Sequence, residues 1–110
     1  MQSDPATSNE FLRSATVETF VPHVGTEFRV VGPDGQVVIL ALVEAQALGA
    51  GLRIPNGLRA PFSLVFSGPS EVNLAQRAYD IEHDVLGWFQ IFLVPTAPAA
   101  SGPLYEAVFG

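Results

Sequence analysis

The stretch TEFRVVGPDGQVVILALVEAQAL, residues 26–48, decides the fold class. Its first part, Thr26–Val31, is rich in residues that favour β-strands. Gly32–Gly35 has the chemistry of a tight turn, because proline presets φ and glycine allows positive φ. Gln36–Leu48 then predicts a long strand. Two strands joined by so short a turn are expected to pair as a hairpin.

The rest of the chain carries the same kind of signal. Arg77–His83 and Trp88–Val94 predict a second hairpin around a turn at Asp84–Gly87, and Pro61–Ser67 and Leu104–Phe109 predict two flanking strands. A short helix is expected within Thr16–Val24, capped by Ser14 or Thr16, limited by Pro22 and ended by Gly25.

About six strands without long intervening helices argue against a parallel βαβ sheet. The expected fold is therefore mainly β, a small antiparallel barrel or a two-layer sandwich of about six strands with one short N-terminal helix. Residues 14–110 are expected to form a single β domain, with loops at 49–60 and 95–103. Residues 1–13 are expected to be a flexible N-terminal lead, or an arm that docks through Phe11 and Leu12.

Composition narrows the function classes. The chain has 110 residues, a formal net charge of −6, five Arg, no Lys and no Cys. Its basic residues are not clustered, so neither nucleic acid nor a membrane surface is an expected partner. The absence of Cys excludes disulfides and thiol chemistry and suits a reducing compartment. No secretory signal is visible, so the cytoplasm, or a particle assembled there, is the expected location.

Two strands are apolar on both faces. In Val37–Val43, the residues Val38, Leu40 and Leu42 can fill the core while Ile39 and Ala41 face the other way, and Trp88 and Phe92 pose the same question on their strand. The alternatives are cover by the 49–60 loop or the helix, and a self-association surface formed by Ile39, Ala41, Trp88 and Phe92.

No residue pattern requires catalysis. Glu82, His83 and Asp84 are adjacent on a strand and should point to alternate faces, so they should not converge. Ser63, His83 and Asp80 make a triad only on paper, because Ser63 lies mid-strand and not on a nucleophile elbow. Glu44, Glu82 and Glu106 are expected to face solvent. With two His and no Lys, neither a zinc motif nor a phosphate loop is present, and no metal or cofactor is expected.

The two tyrosines, Tyr79 and Tyr105, are expected to bury their rings and direct each hydroxyl to a partner or to water. An alternative is a small-ligand-binding barrel in which Tyr79, His83, Tyr105 and Glu106 line one cavity.

Four segments taken together resemble a family of short bacterial proteins classed as a domain of unknown function. They are FVPHVGTEFRV at 20–30, APFSLVFSGP at 60–69, QRAYDIEHDVLG at 76–87 with FLVP at 92–95, and YEAVF at 105–109. The chain departs from that family in its longer N-terminal lead and in ending with Gly110, where Asn is expected. Members resemble accessory proteins found beside phage-tail-collar-type proteins. The resemblance implies an assembly or adaptor role and transfers no catalytic residue. The few charges, the strands that are apolar on both faces and the lack of a catalytic constellation predict a non-enzymatic structural or protein-interaction domain, as an accessory component of a phage-tail-like or other multi-subunit assembly.

Overall fold

The computed structural model describes residues 15–32, 34–48, 60–96 and 102–109. One α-helical turn, α1 (Val17–Phe20), continues into a 3-10 turn at Val21–His23. Six strands follow: β1 (Glu27–Val31), β2 (Val37–Ala47), β3 (Phe62–Ser67), β4 (Arg77–His83), β5 (Gly87–Pro95) and β6 (Leu104–Phe109). The expectations for residues 1–14, Pro33, 49–59, 97–101 and Gly110 lie outside the described residues.

The strands close into an antiparallel barrel in the order β1-β2-β3-β6-β5-β4. Both predicted hairpins are confirmed, β1 with β2 and β4 with β5. The barrel closes because β1 also pairs with β4, opposing Arg29 to Glu82 and Val31 to Asp80. Of the two architectures that the sequence allowed, the barrel is the one formed.

Strand β2 bends and thereby pairs with two neighbouring strands. Its first half pairs with β1 up to Ala41, and its second half pairs with β3 from Ala41 to Ala47. The register shifts between Leu42 and Glu44, so Val43 sits in a bulge and faces out. A bulge increases local bend and twist, which a small barrel needs to close. Ala45 takes the inward position after the shift and packs on the core.

Inward-facing side chains fill the barrel interior. Alternate residues of each strand are buried, as the sequence periodicity predicted, and their rings and branched chains meet at the centre. Phe28 and Phe66, for example, meet edge to face with ring centroids 5.3 Å apart. Ser63 of β3 is an exception to the alternation, since it is buried although it lies between the buried Phe62 and Leu64. The buried apolar strand residues are Phe28, Val30, Val38, Leu40, Leu42, Phe62, Leu64, Phe66, Tyr79, Ile81, Phe89, Ile91, Leu93, Tyr105 and Ala107.

Helix α1 packs beside the pair of strands with the fewest paired residues in the described barrel. Strands β5 and β6 pair only through Val94 with Glu106 and Pro95 with Tyr105 within the described residues. Past these pairs the two strands separate, and Phe20 of α1 lies against Phe89 on one side and Phe109 on the other, at 6.2 and 6.1 Å between ring centroids. Phe20 is fully buried. The short predicted helix therefore supplies one essential apolar side chain to the barrel.

Gly87 and Gly68 show two different ways in which the geometry favours glycine. Gly87 begins β5 with a φ of +82°, a conformation that costs other residues about 1–2 kcal/mol. Gly68 follows β3, and a Cβ there would lie 2.9 Å from Leu40 Cδ2 and 3.2 Å from the Tyr105 ring. Both positions match turns expected from the sequence.

Candidate functional site

The two ends of the barrel carry different polar groups. One end is formed where β1 begins and β4 ends, and it holds His83. The other is formed where β1 ends and β4 begins, and it holds Tyr79, with Tyr105 reaching it from β6. Each end is built from residues that are distant in sequence and brought together by the β1–β4 pairing.

His83 is buried, with 4% of its surface exposed, and both ring nitrogens are engaged. The Thr26 hydroxyl lies 2.9 Å from Nε2 and donates its own hydrogen to the His23 carbonyl at 2.6 Å. It therefore accepts from Nε2–H. On the other side, Nδ1 accepts from the backbone N–H groups of Val85 and Leu86 at 3.1 and 3.2 Å. This pattern selects the neutral Nε2–H tautomer.

The surroundings of His83 favour its uncharged form. Burial lowers the pKa of His83 below its ordinary value, and the nearby charges of His23 and Arg29 lower it further, while Asp84 raises it. A proton on Nδ1 would also oppose the two N–H groups that donate to it. His83 therefore fastens the turn between β4 and β5 to the start of β1.

Glu82 and Asp84, the sequence neighbours of His83, bind Arg29 and not the His83 ring. Arg29 binds both carboxylates, with Nε 3.0 Å from Glu82 Oε1 and Nη2 2.8 Å from Asp84 Oδ1. These hydrogen bonds, Glu82 first and then Asp84, raise the pKa of Arg29. A shallow pocket of about 460 Å³ lies beside this ion pair and His83. Within its lining Arg29 and Asp84 are already paired, whereas Glu27, which also lines it, belongs to no ion pair of the described residues.

The tyrosine hydroxyls fasten the loop that follows β3, the β3–β4 loop (residues 68–76). Tyr105 accepts from the Leu74 N–H at 3.0 Å and lies 3.3 Å from the Val72 carbonyl, to which it donates. Tyr79 donates to the Ala75 carbonyl at 2.7 Å. Both rings are buried, so each tyrosine links the core to this loop, and each hydroxyl has a backbone partner.

The four residues proposed as lining one cavity do not meet. Tyr79 and Tyr105 lie at one end of the barrel and His83 at the other. Glu106 alternates with the buried Tyr105 and Ala107 on β6, so it is on the outer face. The barrel interior between them is filled by core side chains.

The remaining carboxylates and Ser63 are also separated. Ser63 is on β3 and Asp80 on β4, which are opposite strands of the six-strand barrel, and Asp80 faces out, accepting from Gln90 Nε2 at 3.3 Å. Glu44, Glu82 and Glu106 occupy alternate strands around the barrel. Among the described residues no three side chains gather in a way that could hold a metal ion.

A pocket that sequence reasoning missed lies at the tyrosine end. We call it the loop-end pocket; it measures about 480 Å³ and opens between the β1–β2 turn and the β3–β4 loop. Its polar lining comes from Asp34, Gln36, Asn73 and Arg77, and its apolar lining from Val38, Val72, Leu74 and Tyr79. The sequence offered only a weak sign of this pocket, because Asp34 in a polar turn and Arg77 at a strand start are far apart in the chain.

The four residues expected at an interface lie on two sides of the barrel. Ile39 and Ala41 are on β2, Trp88 and Phe92 on β5, and these strands are opposite in the closed order. Ile39, Trp88 and Phe92 are 42%, 37% and 52% exposed. Between Ile39 and Trp88 the register places Arg29 and Glu82, so a salt bridge separates the two apolar faces.

Among the described residues, no helix combines the length and apolar character that a membrane crossing requires. Comparison with curated proteins and with solved structures gave no match. One family model matches residues 15–109, which include every strand and helical turn described above. The chain therefore belongs to the family described as Domain of unknown function (DUF6916).

Proposed function

We propose that the protein is a non-enzymatic interaction domain that assembles with copies of itself, as a subunit of a phage-tail-like or other multi-subunit particle. The observation that carries the proposal is the pair of exposed apolar faces on opposite walls of a filled barrel. We call them the β2 face (Val37, Ile39, Ala41 and Val43) and the β5 face (Trp88, Phe92 and, from β6, Val108).

Exposed apolar side chains are common one at a time, but rows of them on one strand favour a contact surface. On β2, Val37 and Ile39 are both largely exposed and stand two residues apart on the same face. On the opposite wall, Phe92 and Trp88 add two large aromatic side chains, the type that is enriched in the cores of protein interfaces. Burying either face in another subunit would remove this surface from water.

The placement of the faces favours a particular assembly. Two different faces on opposite sides suit a head-to-tail contact, in which the β2 face of one subunit covers the β5 face of the next. Contacts of this type build rings or filaments. The low charged fraction of the chain, 15%, also suits a subunit with much of its surface covered. The absence of Cys agrees with a proposed location in the cytoplasm or in a particle assembled there.

The test measures mass in solution by size-exclusion chromatography with light scattering, over a wide range of protein concentrations. We expect the wild type to form species larger than a monomer. Ile39→Glu and Phe92→Glu should each give monomers, because each removes one half of every head-to-tail contact. Val85→Glu is the matched control, since Val85 is an exposed apolar residue in the β4–β5 turn that belongs to neither face.

Mixing the two variants separates head-to-tail from face-to-self contacts. Ile39→Glu retains its β5 face and Phe92→Glu retains its β2 face, so an equimolar mixture should form a dimer and stop there. A wild type that remains strictly monomeric at high concentration would contradict the proposal. So would variants that keep the wild-type mass.

A further inference from the structure

The loop-end pocket is held open by the core of the barrel. One of its walls is the β3–β4 loop, whose Val72, Leu74 and Ala75 backbone groups are bound by the two buried tyrosine hydroxyls. The opposite wall is the β1–β2 turn, where Gly35 N–H donates to the Gly32 carbonyl at 3.0 Å. Hydrogen bonds therefore tie the described part of the loop wall to the core and link Gly35 to Gly32 in the other wall, and the volume of about 480 Å³ is typical of small-molecule sites.

Opposite charges line the pocket without meeting each other. The ion pairs of the described residues both belong to Arg29, so no described carboxylate lies within 4.0 Å of Arg77. The Arg77 guanidinium carbon lies 5.7 Å from the centre of the Tyr79 ring, a cation–π contact that leaves N–H donors for a ligand. Asp34 accepts the Gln36 N–H with Oδ1 at 3.1 Å, which leaves its second oxygen for another donor.

These charges select the ligand class. A carboxylate can bind the guanidinium of Arg77, but a ligand with only a negative charge would also face Asp34 and, in the adjoining cleft of about 270 Å³, Asp80. A ligand with an ammonium group beside its carboxylate satisfies both signs of charge. The apolar lining, Val38, Val72 and Leu74, then suits a branched or linear aliphatic group.

We propose that the loop-end pocket binds a free α-amino acid with an aliphatic side chain. Arg77 binds its carboxylate, Asp34 binds its ammonium group, and the aliphatic side chain lies on Val38 and Leu74. This site is separate from the β2 and β5 faces and does not depend on self-association.

The experiment is a titration of the full-length, ¹⁵N-labelled protein with L-leucine, followed by NMR. We expect saturable shifts of amide signals in residues 32, 34–36 and 72–77. Isocaproate, which lacks the ammonium group, and isopentylamine, which lacks the carboxylate, should each bind at least about tenfold more weakly, because each loses one charge-assisted hydrogen-bonded contact.

Variants assign the two charges. Arg77→Gln should weaken L-leucine binding at least about tenfold and leave isopentylamine binding unchanged. Asp34→Asn should weaken L-leucine binding to a similar extent and leave isocaproate binding unchanged or stronger. The matched controls are Arg29→Gln, at the other end of the barrel, and Glu71→Gln, an exposed carboxylate of the β3–β4 loop that does not line the pocket. Both should bind L-leucine as the wild type does.

Three results would overturn the proposal. They are the absence of saturable L-leucine binding by the wild type, equal affinity for L-leucine and both shortened analogues, and wild-type affinity in both pocket variants. Since Arg77 and Asp34 are exposed, the pocket variants should fold, which near-ultraviolet circular dichroism checks.

Discussion

The Tyr105 hydroxyl links β6 to the β3–β4 loop, and removing it alone tests the role assigned to that link. In Tyr105→Phe the ring still fills the core, but the Leu74 N–H loses its acceptor. Leu74 is buried, so water cannot readily replace the hydroxyl, and a buried donor left without a partner costs about 1–3 kcal/mol. The Val72 carbonyl, in a half-buried residue, can turn to water and adds little.

We therefore expect Tyr105→Phe to lower the free energy of unfolding by about 2 kcal/mol, or to lower the thermal midpoint by roughly 10 °C. Urea titration followed by the fluorescence of Trp88, the one tryptophan in the chain, measures this change. With a denaturant slope of about 2 kcal/mol/M, the midpoint should move by roughly 1 M.

Tyr79→Phe is the matched control. Its hydroxyl donates to the carbonyl of Ala75, an exposed residue, so water can satisfy that carbonyl in the variant. The expected loss is about 1 kcal/mol or less. If Tyr105→Phe costs no more than Tyr79→Phe, or less than about 0.5 kcal/mol, the argument from the buried Leu74 N–H is wrong.

Three further predictions concern other parts of the barrel. The lowered pKa of His83 means that the unfolded chain binds a proton more readily than the folded chain. The free energy of unfolding should therefore keep its full value above the ordinary histidine pKa of about 6.5 and fall as the pH drops below it. His83→Gln should remove most of that fall in urea titrations at several pH values. Phe20→Ala should cost about 3–5 kcal/mol by thermal unfolding, because it empties the gap between β5 and β6, whereas Val21→Ala, at an exposed position, should cost within about 0.5 kcal/mol. Gly87→Ala should cost about 1 kcal/mol and Gly87→Asn less, since Asn tolerates positive φ better; equal unfolding midpoints for the two would contradict this.

The strands were predictable because their signals are local. The alternation of apolar residues and the turn residues predicted the bounds of Arg77–His83 and Leu104–Phe109 as observed. In the first hairpin, the predicted and observed strand ends differ by no more than one residue. The same pattern cannot say which strands pair across the fold. Barrel and sandwich differ in whether β1 meets β4, and that contact joins residues about 50 positions apart, such as Arg29 and Glu82.

The bulge at Val43 was hidden for a related reason. The run Val37–Val43 is apolar at every position, so periodicity gives no sign that the register shifts after Leu42. The packing of Phe20 could not be predicted either, because one aromatic residue in a short helix can face solvent, a partner or a space between two strands of the barrel. Only the separation of β5 from β6 distinguishes these outcomes.

For the candidate sites, too, local features could be predicted from the sequence and long-range contacts could not. The sequence predicted that each tyrosine hydroxyl would need a partner, because a buried phenol requires one, but the partner of Tyr105 lies 31 residues away in a loop without periodicity. Asp34 and Arg77 are ordinary surface residues in sequence. They line one pocket only because β1 pairs with both β2 and β4, which brings the β1–β2 turn beside the start of β4.

The filled interior decides where a ligand can bind. Since core side chains occupy the space between the two ends, a small molecule must bind at an end of the barrel or on its outer wall. At the histidine end Glu27 is a carboxylate outside the described ion pairs, but Arg29 already binds Glu82 and Asp84 and both nitrogens of His83 are engaged, so a ligand carboxylate would have to displace existing bonds. At the tyrosine end the hydroxyls are equally engaged, yet Arg77 and Asp34 remain charged groups without an ion-pair partner among the described residues. Binding there adds contacts without removing any, and this difference between the ends is the physical reason to look for a ligand at the loop-end pocket.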